Sequence, residues 1–191
     1  GALADESTTW DFDLFLDKGS ITPRASAKDN DADQILPDGF DLQNVKAQVN
    51  VTDNATSLIS MTGFSGDGEV DARGFATLDS RERWFQATAK NVPIGRWIFG
   101  FLPADTRDNS MLTWGDCNPK GTINADVHLL EKQGQSTRRR VLIDPSRVIF
   151  DLDPGLATIK IPCGYFELID DSIQVHDMRL EFNDMNANVG S

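Results

Sequence analysis

The chain has 191 residues and a formal charge of −12, from 30 acidic and 18 basic side chains. That balance argues against a nucleic-acid binder, which needs a basic surface to displace counterions, and against simple electrostatic docking on an anionic membrane. Apolar residues make up 39% and aromatic residues 8%, enough for one core but thin for covering both faces of a large sheet.

The dominant signal is alternation with a period of two, the signature of strands apolar on one face and polar on the other. In chain order it predicts strands near Trp10–Leu16, Ser20–Thr22, Leu42–Val51, Thr56–Thr62, Glu69–Leu78 and Arg83–Asn91. Further strands are predicted at Gly121–Glu131, Thr137–Ile143, Arg147–Leu152, Ala157–Leu168 and Ser172–Phe182. Asp17-Lys18-Gly19, Asp67-Gly68 and Asp144-Pro145-Ser146 read as tight turns, so the strands should form hairpins in an antiparallel meander. Two stretches break the pattern. Arg24–Leu36 is polar and reads as an exposed loop. Pro93–Pro103 places Ile94, Trp97, Ile98, Phe101 and Leu102 at helical spacing, with prolines at both limits, and predicts the one helix. The expected fold is therefore mainly β: a long, twisted, antiparallel meandering sheet with one short helix.

The chain also echoes itself. Leu42–Val51, Thr56–Thr62 and Glu69–Gly74 have counterparts in Ile159–Leu168, Ile173–Arg179 and Met185–Gly190, about 117 residues further on. Residues 1–191 then read as one segment of an extended repeating sheet, with a unit over roughly 37–153 and partial flanking units.

Residues that could carry chemistry are few. His128 and His176 each sit within a strand among apolar neighbours, with no nucleophile beside them. No nucleophile elbow, phosphate loop or zinc-protease motif occurs. Carboxylates are abundant, but nothing singles out a pair for glycoside cleavage. Asp29-Asn30-Asp31-Ala32-Asp33 begins like a calcium loop. It then places Gln34 where the turn glycine belongs and Phe40 where the closing carboxylate belongs. Cys117 and Cys163 lack metal spacing, and either one bridge or two free thiols would suit them. Arg138-Arg139-Arg140 is the one basic cluster. It reads as a solvated edge that discourages sheet pairing, or as a contact for phosphate headgroups or an acidic neighbour. No apolar run approaches the roughly 18 residues of a membrane helix, and any anchor would lie outside this segment. The reading is a non-enzyme with no cofactor and no metal.

Several motifs resemble a known family. Trp114-x-x-x-x-Pro119-x-Gly121-x-Ile123-x-Ala125 follows Phe101-Leu102-Pro103, and Val148-Ile149-Phe150 comes after a charged strand. Pro162-x-Gly164-x-Phe166 then leads into Asp170-Asp171-Ser172-Ile173-x-Val175-x-Asp177-Met178. Upstream, Gly66–Gly74 and Phe85-x-Ala87-x-Ala89-x-Asn91-Val92-Pro93-Ile94 fit the same habit. Over most of Gly39–Gly190 the chain resembles the AsmA-like superfamily of bacterial envelope proteins, which includes the TamB and YhdP relatives, in its planctomycete-type form. It departs from the family at Cys163-Gly164-Tyr165.

The resemblance implies a taco-like β-groove, apolar inside, along which phospholipid acyl chains move between membranes of the cell envelope, in the periplasm. Its partners would be phospholipid and further repeats of the same parent chain, and its role the maintenance of the outer membrane. On that expectation the groove wall carries Val45, Ala47, Val49 and Val51, then Phe85, Ala87 and Ala89. It continues with Ile123, Ala125, Val127 and Leu129, and with Ile173, Val175 and Leu180, while Trp97, Ile98 and Phe101 cap it. The alternative expectation is a structural or adhesive cell-surface β-sandwich or solenoid that binds protein or glycan.

Overall fold

A computed structural model describes residues 11–21, 40–79, 81–101, 117–153, 157–170 and 172–184. Nine strands form one open sheet in the order of the sequence: β1 Asp11–Ile21, β2 Leu42–Thr52, β3 Ala55–Ser65, β4 Gly68–Thr77, β5 Glu82–Pro93, β6 Pro119–Lys132, β7 Arg138–Asp153, β8 Ala157–Ile169 and β9 Ser172–Asp184. Every neighbouring pair is antiparallel. The sheet does not close: β1 and β9 are its outermost strands. The predicted loop at Arg24–Leu36, with the calcium-like Asp29–Asp33, lies outside the described residues.

Two predicted turns are bulges instead. Asp17-Lys18-Gly19 does not separate two strands but sits inside β1, where Lys18 takes φ 60° and the register with β2 shifts. Asp144-Pro145-Ser146 likewise lies inside the single long strand β7. There the Asp144 carboxylate accepts hydrogen bonds from the Ser146 backbone N–H (2.9 Å) and from Asn124 Nδ2 across the ladder (3.2 Å). Burial pushes this carboxyl up, but those bonds, the Ser146 hydroxyl and the Arg147 charge together leave it below the usual carboxylate range. Proline cannot donate to a ladder, and a bulge is one of the few interior positions that tolerate it. Turn-forming residues thus mark both true turns and bulges, and only pairing partners on both sides tell them apart. The predicted Asp67-Gly68 turn, by contrast, does join β3 to β4, one residue earlier, at Gly66-Asp67, with Gly68 opening β4.

The predicted helix is reduced. Pro93 ends β5, and a six-residue 3-10 helix runs from Arg96 to Phe101. Ile98 N–H donates to Gly95 O (3.1 Å), and Trp97 Nε1 donates to Pro93 O (3.2 Å). The indole therefore bends back over the end of β5 rather than continuing a helical stripe.

The bulges have a common consequence. Lys18 in β1, Asn44 in β2, Asn91 in β5 and Asp177 in β9 all adopt left-handed backbone with φ between 48° and 60°. Each is an extra residue that flips the alternation. Inward positions in β2 are Val45, Ala47 and Val49, but Leu42 on the other side of Asn44. In β5 they are Phe85, Ala87 and Ala89, but Val92 beyond Asn91. β9 switches from Ile173 and Val175 to Leu180 and Phe182 across Asp177. Each strand changes phase and keeps its apolar side chains on one face. Bulges also bend a strand and increase its local twist.

Candidate functional site: the apolar inner face

Cross-strand register places the expected lining residues together. Val45, Ala47, Val49 and Val51 pair in turn with β1 and β3 positions of the same face. Phe85, Ala87 and Ala89 stand opposite Leu129, Val127 and Ala125. Ala125 and Val127 stand opposite Ile143 and Val141, which meet Phe166 and Leu168, and those meet Val175 and Ile173. Leu180 rejoins this face after the Asp177 bulge. Of the expected lining residues only the Phe101 side chain lies outside the described ones.

Alternation missed part of the face. Leu42, Val92 and Val148 sit out of phase with their own strands' main run, and each is almost inaccessible to solvent. Met61, Val70, Ala72, Val141, Ile161 and Leu168 belong to it as well. Asn44 and Asn91 were the available signal, since asparagine tolerates left-handed backbone better than most residues.

Exposure along the face is graded. Its middle is dry: Phe40, Leu42, Val45, Met61, Val70, Ala72, Phe85, Val92, Trp97, Ile123 and Val148 form one buried cluster. Trp97 packs on Phe40 with ring centroids 4.8 Å apart and tilted by 59°. Ile98 and Ile94 pack against the same cluster. Toward both outer strands the face opens. Leu14 in β1 is 52% exposed, Val175 in β9 57% and Phe182 67%.

Polar groups edge the face at one end. Arg83 and Glu131, register partners on β5 and β6, form an ion pair. Arg139 donates its backbone N–H to Asp170 Oδ1 (2.8 Å) and its Nη2 to Asp170 O (3.0 Å). On the opposite face Arg147 bonds the Asn91 side chain and Lys120 pairs with Asp151 at 2.6 Å.

The opposite, polar face carries a network around Glu167. Glu167, almost buried, accepts Arg140 Nε at 2.7 Å and lies 3.1 Å from His176 Nε2. The His176 ring stacks on Tyr165 at 4.6 Å, interplanar angle 14°. The Arg140 hydrogen bond, foremost, holds the Glu167 carboxyl below its ordinary value. A carboxylate so depressed contributes stability above its unfolded pKa, and that contribution disappears as pH falls through the folded one. Glu167→Gln should therefore be less stable than the parent chain at neutral pH, and urea titrations at falling pH should show the gap closing below the ordinary glutamate range. His176 thus contacts Glu167 and Tyr165, and His128 is exposed on the same face. Cys117 and Cys163 are both free.

Arg138-Arg139-Arg140 does not protect an edge. β7 is an interior strand with β6 on one side and β8 on the other. Among the described residues no group of three or more His, Cys, Asp or Glu is placed to hold a metal ion, and no helix is long and apolar enough to cross a membrane.

The chain matches no family model, no curated protein and no solved structure at a significant level.

Proposed function

We propose that this chain is a non-enzymatic segment of an AsmA-like envelope protein whose inner face receives phospholipid acyl chains. The observation that carries the reading is the continuous apolar face, dry in the middle and exposed toward both β1 and β9. A sheet with one apolar face must cover it with another layer or with a hydrocarbon ligand. Nine strands at about 4.8 Å spacing make this face about 38 Å long across the strands, more than the ~30 Å hydrocarbon core of a bilayer. Each acyl methylene withdrawn from water contributes about 0.8 kcal/mol, and such burial needs no motif. Further strands of the same parent chain, added beyond β1 or β9, would extend the trough, and the bacterial periplasm is the compartment this role requires.

A purified sample should carry phospholipid detectable by native mass spectrometry and by solvent extraction. Val175→Asp with Leu180→Asp, at exposed positions, should leave the circular dichroism unchanged. Lipid binding should weaken about tenfold, the effect of roughly 1.4 kcal/mol. A folded, lipid-free parent chain that takes up no fluorescent fatty-acyl probe would sink the reading.

The rival is a structural or adhesive surface module that binds protein or glycan. The dry central cluster favours it, because a scaffold needs a sealed core and a conduit does not. Under that reading Val175 and Leu180 contact a protein partner, and the double variant leaves lipid content unaltered.

A further inference from the structure

The polar face, opposite the groove, carries a cavity of about 400 Å³ between the ends of β5, β6, β7 and β8. Its walls follow from register. Trp84 stands opposite Leu130, which stands opposite Arg138, while Gln86 faces His128, which faces Arg140, and Arg140 faces Ile169. Alternation therefore sends Arg138 and Arg140 to this side and Arg139 to the other, where Asp170 holds it.

Two features are unusual for a chain of charge −12. First, this wall concentrates arginines in the interior of a sheet, where edge protection cannot explain them. Arg140 spends only its Nε on Glu167, one of a guanidinium's five N–H donors. Arg138 has no ion-pair partner among the described residues. Gln86 is itself fixed by Arg73, which donates Nε and Nη2 to Gln86 Oε1 at 3.0 and 2.7 Å. Secondly, the cations share the cavity with Trp84, Leu130 and Ile169, of which the tryptophan and isoleucine stay more than a third exposed. A few oriented polar groups in a mainly apolar concavity of a few hundred Å³ are the usual make-up of a small-molecule site.

Paired guanidinium forks match the oxygens of a phosphate better than a lysine pair would, and an indole face accepts a flat or apolar body. We propose that this cavity binds an organic phosphate, with the phosphate on Arg138 and Arg140 and a planar or apolar body against Trp84, Leu130 and Ile169. Phe85 and Leu129 of the apolar face also border the cavity, but the contacts proposed for the ligand use neither, so the site does not rest on the groove reading. The Glu167 carboxylate on Arg140 and Asp170 on the cavity rim repel further phosphate groups, so a monophosphate is favoured over a polyphosphate.

The test is isothermal titration calorimetry of the full chain with phenyl phosphate, set against phenol and against inorganic phosphate. Phenyl phosphate should bind saturably, and each half-ligand at least about tenfold more weakly. Arg138→Ala should weaken phenyl phosphate about tenfold, as for one charge-assisted contact, with Arg138→Lys in between. Trp84→Leu should weaken it while leaving inorganic phosphate unaffected. Retention on phosphatidylcholine vesicles containing phosphatidic acid, lost in Arg138→Ala, would place the phosphate on a lipid headgroup. Binding of phenyl phosphate without vesicle retention would place it on a soluble molecule. No saturable heat with phenyl phosphate, or binding that Arg138→Ala leaves untouched in a folded variant, overturns the site.

Discussion

Gly121→Ala should be among the most destabilising single methyl additions in this chain, lowering unfolding free energy by about 3 kcal/mol or more. Gly121 holds φ at 117°, and a Cβ built there would lie 2.1 Å from Arg147 O and 3.1 Å from the Arg147 carbonyl carbon. Both obstacles are backbone, pinned by the pairing of Gly121 with Val148, so no side chain can swing aside. The position is solvent-exposed, hence the loss cannot be ascribed to a changed core. Gly134→Ala is the control. It also has positive φ, 77°, but nothing lies within 4 Å of its Cβ position. It should cost about 1 kcal/mol from backbone strain alone. Urea denaturation of both variants decides the matter. Equal losses would mean that β6 and β7 do not approach each other as closely as the β7 bulge requires.

Gly121 also shows why the sequence revealed the class of fold more readily than its continuity. Alternation was enough to place Leu42–Val51, Thr56–Thr62 and Arg83–Asn91 in strands and to order them as a meander, because the period of two is a local property. It could not say that Asp17-Lys18-Gly19 and Asp144-Pro145-Ser146 lie within strands. A turn and a bulge use the same residues for the same reason, tolerance of left-handed or non-donating backbone. What separates them is whether a neighbouring strand pairs on both sides, a long-range fact. The apolar face was legible wherever a strand kept its phase, as in Ile123–Leu129. It was lost at Leu42, Val92 and Val148, each beyond a bulge. The helix was over-read because Trp97, Ile98 and Phe101 satisfy helical spacing whether the segment makes three turns or a short 3-10 helix. The Arg138–Arg140 cluster was legible, but the cavity beside it was not: Trp84 and Ile169 are far apart in sequence, and only the order of β5 to β8 brings them together.

Trp97→Ala carries the other large effect and separates two roles of one side chain. The indole is 8% exposed, tilts against Phe40 and bonds Pro93 O. Truncating a buried tryptophan removes its transfer free energy and leaves a cavity, so about 3–5 kcal/mol of stability should be lost. That loss is expected whether the 3-10 helix merely seals a core or also caps a conduit. The roles part on hydrocarbon uptake. If the indole stops the trough at mid-face, its removal joins the open ends on the β1 and β9 sides through the vacated space. A fluorescent fatty-acyl probe should then bind more of the folded variant, although the protein itself is weaker. Trp97→Phe keeps most of the apolar volume but loses the bond to Pro93 O. It should recover much of the stability and return uptake toward that of the parent chain. If Trp97→Ala instead lowers stability with no gain in uptake, the indole is a core residue only. The exposed stretches beside β1 and β9 would then be two separate surfaces, and hydrocarbon could not pass from one to the other along this sheet.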